Sequence, residues 1–184
     1  QVSYVLLGVF LLSMEGLYGS LLQMVFHALA KNALFLCAGA VICKTGCTRV
    51  KELRGMGKRM PAVMVCFALS SLSLVGIPPA GGFLAKWHLA VGAMRAEDGV
   101  FAWLGPAVLM VSALLTAGYL FPVIVEAFFP GKDWRKTDQS EDGRLSVSAF
   151  MGVPLAVLGI SLLVLGALGN PVFELLRGIA SDMV

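Results

Sequence analysis

The chain has 184 residues, 58% of them hydrophobic and 14% charged, with a mean hydropathy of +0.86. That balance excludes an ordinary soluble domain and indicates an integral membrane protein. The formal net charge of +3 does not imply nucleic acid as a partner, because the basic residues fall in loops beside apolar runs, where they report orientation in the bilayer. The expected fold is all-α, a polytopic transmembrane helix bundle read as a single domain over residues 1–184.

In chain order, the first apolar run, residues 1–13, makes roughly 20 Å of helix and is too short to cross. With no basic n-region or A-x-A signal before it, the chain is read as starting inside a helix whose upstream portion is missing. Met14 to Tyr18 reads as a short turn carrying Glu15 and Gly16. A membrane-length helix over residues 19–43 follows, with Lys31 at its middle. Between Lys44 and Met60 lie Lys44, Arg49, Lys51, Arg54, Lys58 and Arg59 against the single acid Glu52, which the positive-inside rule assigns to the cytoplasm.

Pro61 opens the next helical run, residues 60–94, where its missing N–H costs nothing. Residues 76–82, Gly-Ile-Pro-Pro-Ala-Gly-Gly, interrupt it, since no α-helix passes through that stretch unchanged. Two short crossings or one broken crossing both fit the pattern, and loop charge separates them. One broken crossing puts the basic loop 130–145, with Lys132, Arg135, Lys136 and Arg144, in the cytoplasm beside loop 44–60, so a single broken helix is expected. The span 101–129 contains Pro106 and Pro122 as kink positions and Glu126 near its cytoplasmic end. An uncharged packing span, 148–168, comes next, and the tail 171–183 alternates apolar and charged residues as a helix lying in the interface does. Of the four cysteines, Cys37 and Cys66 read as small core residues and Cys43 and Cys47 flank the basic loop in a reducing compartment. They form no C-x-x-C pair, and the C-x3-C of Cys43 and Cys47, with no histidine nearby, is a weak metal signature, so no metal site is expected.

Three residues carry the chemistry. Lys31 sits near the bilayer midplane, where anchoring requires no charge. Gln23, His27 and Lys31 recur at i, i+4 and i+8 and share one helix face. Burial disfavours the charged lysine, and a protonated His27 one turn away acts in the same sense, so the pair is suited to passing or storing a proton. Its alternative is a lysine satisfied by carbonyls and an acid on an absent helix, with His27 only packing. The third residue is Lys86, just after the break formed by Gly76, Pro78, Pro79, Gly81 and Gly82. Proline leaves carbonyls of the preceding turn unpaired, and such backbone at membrane depth is tolerated where protein or water meets it. Lys86 lies at the positive end of the second half-helix, which disfavours its charge; otherwise it is a membrane-edge lysine snorkelling beside Trp87. Gln23, Asn32 and His88 are supporting polar groups, and Glu126 is a further candidate.

HALAKNALFLCAGAVICKTG, and RMP followed by SLVGIPPAGGFLAKW, resemble the proton-translocating antiporter family shared by multisubunit monovalent cation/proton antiporters, complex I and membrane-bound hydrogenases. SYVLLG resembles the end of the preceding family helix, and LTAGYLFPVIVEAFFPG is similar in wording to the D-type antiporter subunit. The resemblance implies that the chain is the C-terminal third of a longer subunit. It places the family's channel lysine on Lys31, its partner histidine on His27 and the lysine after the break on Lys86. Gln23 stands where many members have a second, titratable histidine. The implied function is proton translocation, coupled to Na+ or K+ exchange, with other membrane subunits as partners and no cofactor on this chain. The alternatives are a proton-pumping subunit in the membrane arm of a redox complex and a structural scaffold. No catalysis by the chain itself is expected, and its location is the inner (plasma) membrane.

Overall fold

A computed structural model describes residues 1–95, 99–130, 145–168 and 170–183; the basic loop residues 131–144, including Lys132, Arg135, Lys136 and Arg144, lie outside them. Among the described residues the chain is helical and without strands, and it is organised around one long helix.

The first helix, α1 (Val2–Phe10), ends at a reversal in which Leu12 takes φ +43. Ser13 then caps α2 (Met14–Thr45), its Oγ accepting from the Gly16 N–H at 3.2 Å, and Glu15 places a negative charge in the first turn. The cap and the acid start the helix where the sequence reading expected a turn, so Met14 to Tyr18 is helical and α1 is shorter than residues 1–13. Gly46, at φ +70, terminates α2, its N–H bonding Ile42 O at 2.8 Å. At 32 residues α2 is about 48 Å long, more than the hydrocarbon core requires. Its buried face, Leu22, Phe26, Ala30, Ala33 and Cys37, follows helical spacing and forms the core, while Met24, Phe35 and Ile42 face outward.

A 3-10 turn (Val50–Leu53) and the short α3 (Met56–Arg59) form the basic loop. The backbone N–H groups of Arg49 and Thr48 donate to the Glu52 carboxylate and hold it below the usual carboxylate range. Arg54 Nε pairs with Glu126 at 2.9 Å, and the Gly55 N–H bonds Glu126 O at 3.2 Å, which fastens this loop to the end of the next long helix.

Pro61 opens α4 (Pro61–Val75), and α5 (Gly81–Met94) follows the break, within which the Pro78–Pro79 peptide is cis. At 15 and 14 residues they measure about 22 and 21 Å, neither enough to cross alone. Both run antiparallel to α2, one after the other. Cys37 Sγ bonds Val63 O at 3.3 Å near one end, a Cβ on Gly81 would strike the Phe26 ring midway, and one on Gly92 would lie 2.7 Å from Gly16 N at the other. They form one discontinuous helix, as expected.

Helix α6 (Gly99–Phe128) contains Pro106 and Pro122, and α7 (Ala149–Leu168) contains Pro154. With α2, they are long and apolar enough to cross a membrane. The final helix, α8 (Asn170–Met183), is amphipathic; Phe173 and Leu176 pack on the core, Phe173 against Phe26, while Leu175 and Ile179 stay exposed.

Candidate functional site

In a continuous helix the carbonyls of Leu74 and Val75 would accept from the N–H groups of residues 78 and 79. Both are prolines and have none to give. Lys86, on the second turn of α5 and only 9% exposed, fills the gap: its Nζ donates to Leu74 O at 2.9 Å and Val75 O at 2.6 Å. The Tyr4 ring of α1 lies over the same nitrogen, 5.7 Å to the centroid. Gly76 makes the arrangement fit, for it takes φ +87 and a Cβ there would sit 2.9 Å from Lys86 Cδ. The sequence reading placed Lys86 where the α5 dipole opposes a cation. The structure adds an opposing effect: the side chain reaches back across the break to the negative end of α4, where carbonyls and dipole favour it. No ion pair involves Lys86 among the described residues.

A hydrogen-bonded file leads from this site to α2. Gln23, 3% exposed, donates from Nε2 to Gln1 Oε1 at 2.8 Å. Gln1 Nε2 in turn donates to Leu74 O at 3.3 Å and to Thr116 Oγ1 at 3.4 Å, and the Thr116 hydroxyl donates to Ser112 O at 2.8 Å. Gln23 and Lys86 are thus joined through Gln1 and a carbonyl both donors share. Sequence reasoning did not single out Gln1, Tyr4 or Thr116. The usable signal was a lone Thr in the apolar span of α6 and the i, i+3 pairing of Gln1 with Tyr4 on one face of α1.

His27 and Lys31 continue the Gln23 face by one and two turns and are partly buried. Among the described residues, Nδ1 of His27 is buried without a partner, as are the hydroxyls of Ser70 and Ser73 on α4 and of Tyr4. Buried polar atoms without protein partners are ordinarily met by water, so the middle of the bundle is equipped to hold it. Lys31 Nζ approaches the Phe35 ring at 5.5 Å and makes no hydrogen bond or ion pair among the described residues; Asn32 is exposed on the outward face.

The remaining candidates lie elsewhere. His88 joins a separate cluster at the far end of α5, its Nδ1 2.7 Å from Glu15 Oε2, with the Tyr18 ring edge-on at 4.7 Å and Arg95 3.5 Å from the other Glu15 oxygen. Trp87 is 56% exposed. Glu126 is engaged by Arg54 at the basic end. Pro78 and Pro79 are exposed, whereas Gly81 and Gly82 are buried, and a Cβ on Gly82 would collide with the Ser73 carbonyl. The Cys66 thiol donates to Leu155 O at 3.4 Å and the Cys37 thiol to Val63 O, so both are occupied in helix packing. Among the described residues no group of His, Cys, Asp and Glu is arranged to hold a metal.

The chain is 40% identical to NADH-quinone oxidoreductase subunit N of Desulforudis audaxviator over 181 residues, 95% of this chain and 35% of that protein. It is 29% identical to the D-type subunit of the Na(+)/H(+) antiporter of Alkalihalophilus pseudofirmus over 184 residues, 100% of this chain and 36% of that protein. The solved Mrp complex from Dietzia sp. DQ12-45-1b contains a chain that superposes with a TM-score of 0.83 at 27% identity, covering 98% of this chain and 40% of that one. The chain therefore spans little more than a third of the length of such relatives. Residues 1–121, which hold the lysine-bearing helix, the break and most of α6, match the family profile described as "NADH:quinone oxidoreductase/Mrp antiporter, TM", and the chain belongs to that family.

Proposed function

We propose that the chain is part of a proton-translocating subunit in a multisubunit membrane complex, exchanging protons for Na+ or K+, with Lys31, His27 and Lys86 as the relay. One observation carries this reading: Lys86 is held in the break of a membrane helix by two prolyl-freed carbonyls and, among the described residues, no carboxylate, so its charge is stabilised without being locked into an ion pair. Gln23 links the two lysine-bearing helices, and the unpartnered His27 Nδ1 supports a water-assisted step between them. The chain itself is proposed to bind no cofactor. Lys86→Ala and Lys31→Ala should each abolish proton transport by the complex reconstituted in vesicles while leaving assembly intact. Lys31→Arg should fail too, because guanidinium is effectively never deprotonated. Normal transport in Lys31→Arg would make Lys31 an electrostatic anchor. If Lys31→Leu and Lys86→Leu both transported normally, the chain would be a scaffold.

The 40% identity to a quinone oxidoreductase subunit favours a second reading, in which the same relay serves a pump driven by electron transfer in other subunits. Iron-sulfur or flavin motifs in neighbouring subunits would decide for it. The membrane is proposed to be the inner (plasma) membrane, with loops 44–60 and 130–145 cytoplasmic, on the strength of their basic residues. A cysteine replacing the exposed Lys51 should be labelled from the cytoplasm and one replacing Gly99 from the opposite face; labelling of both from one face would reject that orientation.

A further inference from the structure

Gln1 and Tyr4 stand one turn apart on α1 and both meet Lys86 or its carbonyl partners, yet neither belongs to the relay. The point of contact is the Leu74 carbonyl. It accepts from Lys86 Nζ at 2.9 Å and from Gln1 Nε2 at 3.3 Å, and so uses both of its lone pairs. Val75 O, at 2.6 Å from the same ammonium, has no second side-chain donor among the described residues. The Gln1 amide is held from two further sides, by Thr116 on α6 and by Gln23 on α2. Four helices, α1, α2, α4 and α6, thus meet on one side chain that carries no charge and does not titrate.

A lysine that passes a proton on to another group must at some point swing away from the carbonyls that hold it. An orphaned carbonyl in apolar surroundings is costly, so a site whose only donor was the ammonium would resist release. With Gln1 already in place, the Leu74 carbonyl stays satisfied when Lys86 lets go. We propose that Gln1 is a positioning residue for Lys86, the spare donor that keeps the Leu74 carbonyl paired when the Lys86 side chain moves away. The proposal rests on Lys86 being a proton carrier, but the shared carbonyl does not, and the two are tested apart.

The test is a double-mutant cycle in the full-length subunit within its assembled complex, reading both proton-transport turnover in vesicles and the thermal midpoint of the purified complex. Gln1→Met keeps the length and apolar stem of the side chain and removes the amide. It should lower turnover about tenfold with normal assembly. Gln1→His retains a ring N–H donor and should recover a large part of the loss. In the Lys86→Met background Gln1 is the only donor left to Leu74 O, so adding Gln1→Met there should lower the midpoint more than it does in the wild type. Additive midpoints, turnover within about twofold of wild type in Gln1→Met, or no recovery in Gln1→His would each overturn the proposal. Normal transport in Lys86→Met would instead overturn the carrier reading, and the midpoints would still decide whether the carbonyl is shared.

Discussion

Helix α5 handles charge in two opposite ways within a few residues. At its buried start Lys86 is met by carbonyls and an aromatic face, all of them fixed dipoles or quadrupoles and none of them ionised. Toward its far end His88 and Arg95 are met by the Glu15 carboxylate, in a cluster whose imidazole and carboxylate side chains are about a quarter exposed (27% and 25%). Leu89, one turn beyond Lys86 on α5, is fully buried, and the space for it comes from glycine: a Cβ on Gly19 would lie 2.7 Å from the Leu89 backbone nitrogen.

The difference follows from what each charge must do. A carboxylate beside Lys86 would hold it in a desolvated ion pair, expensive to form and expensive to part. Carbonyls stabilise the ammonium without a countercharge and leave it free to be exchanged. At the rim, water screens both partners and the pair serves to fasten α2 to α5, a role in which a carboxylate is the ordinary choice. The polar file through Gln23, Gln1 and Thr116, together with the unpartnered His27 Nδ1, belongs with the first region and not with the second.

The comparison breaks most readily at Gly76. Replacing it with alanine forces a Cβ into a left-handed conformation, at a cost of about 1–2 kcal/mol, and pushes that Cβ against Lys86 Cδ. The lysine stem is flexible and can give way, so the complex should still assemble. Its Nζ should leave the short bond to Val75 O, however, and proton transport should fall about tenfold. Undiminished transport in Gly76→Ala would mean that the carbonyl geometry at the break is not what sets the behaviour of Lys86.

Much of this was legible in the chain, for reasons that are local. Gln23, His27 and Lys31 announce one face by their spacing, and the run from Gly76 to Gly82 announces an interruption because proline and glycine act on their own backbone. The placement of Lys86 after the break was legible too, but the balance of dipoles on it was not. Its own helix opposes the charge, and the compensating carbonyls belong to Leu74 and Val75, reached only through the folded break. Gln1 and Thr116 were hidden for the same reason, since their partners lie on helices distant in sequence. The early start of α2 rested on a single hydroxyl, Ser13 Oγ, with no glutamate or glutamine at the third helical position to complete a capping box and flag it. His88, expected only as a supporting polar group, sits two positions from Lys86, so their side chains leave the helix from nearly opposite faces, and His88 turns to Glu15.

The smallest effect is expected at that rim cluster, where the comparison can also be sharpened. Glu15→Gln keeps an oxygen able to accept from His88 and removes the charge shared with Arg95. A partly exposed pair of this kind is worth about 0.2–1 kcal/mol, so the complex should assemble normally and its thermal midpoint should drop only slightly. Transport should stay within about twofold of wild type, because no step of the proposed relay passes through the cluster. Measured beside Lys86→Ala in the same vesicles, a loss of tenfold or more in Glu15→Gln would place the cluster on the proton path and join the two regions.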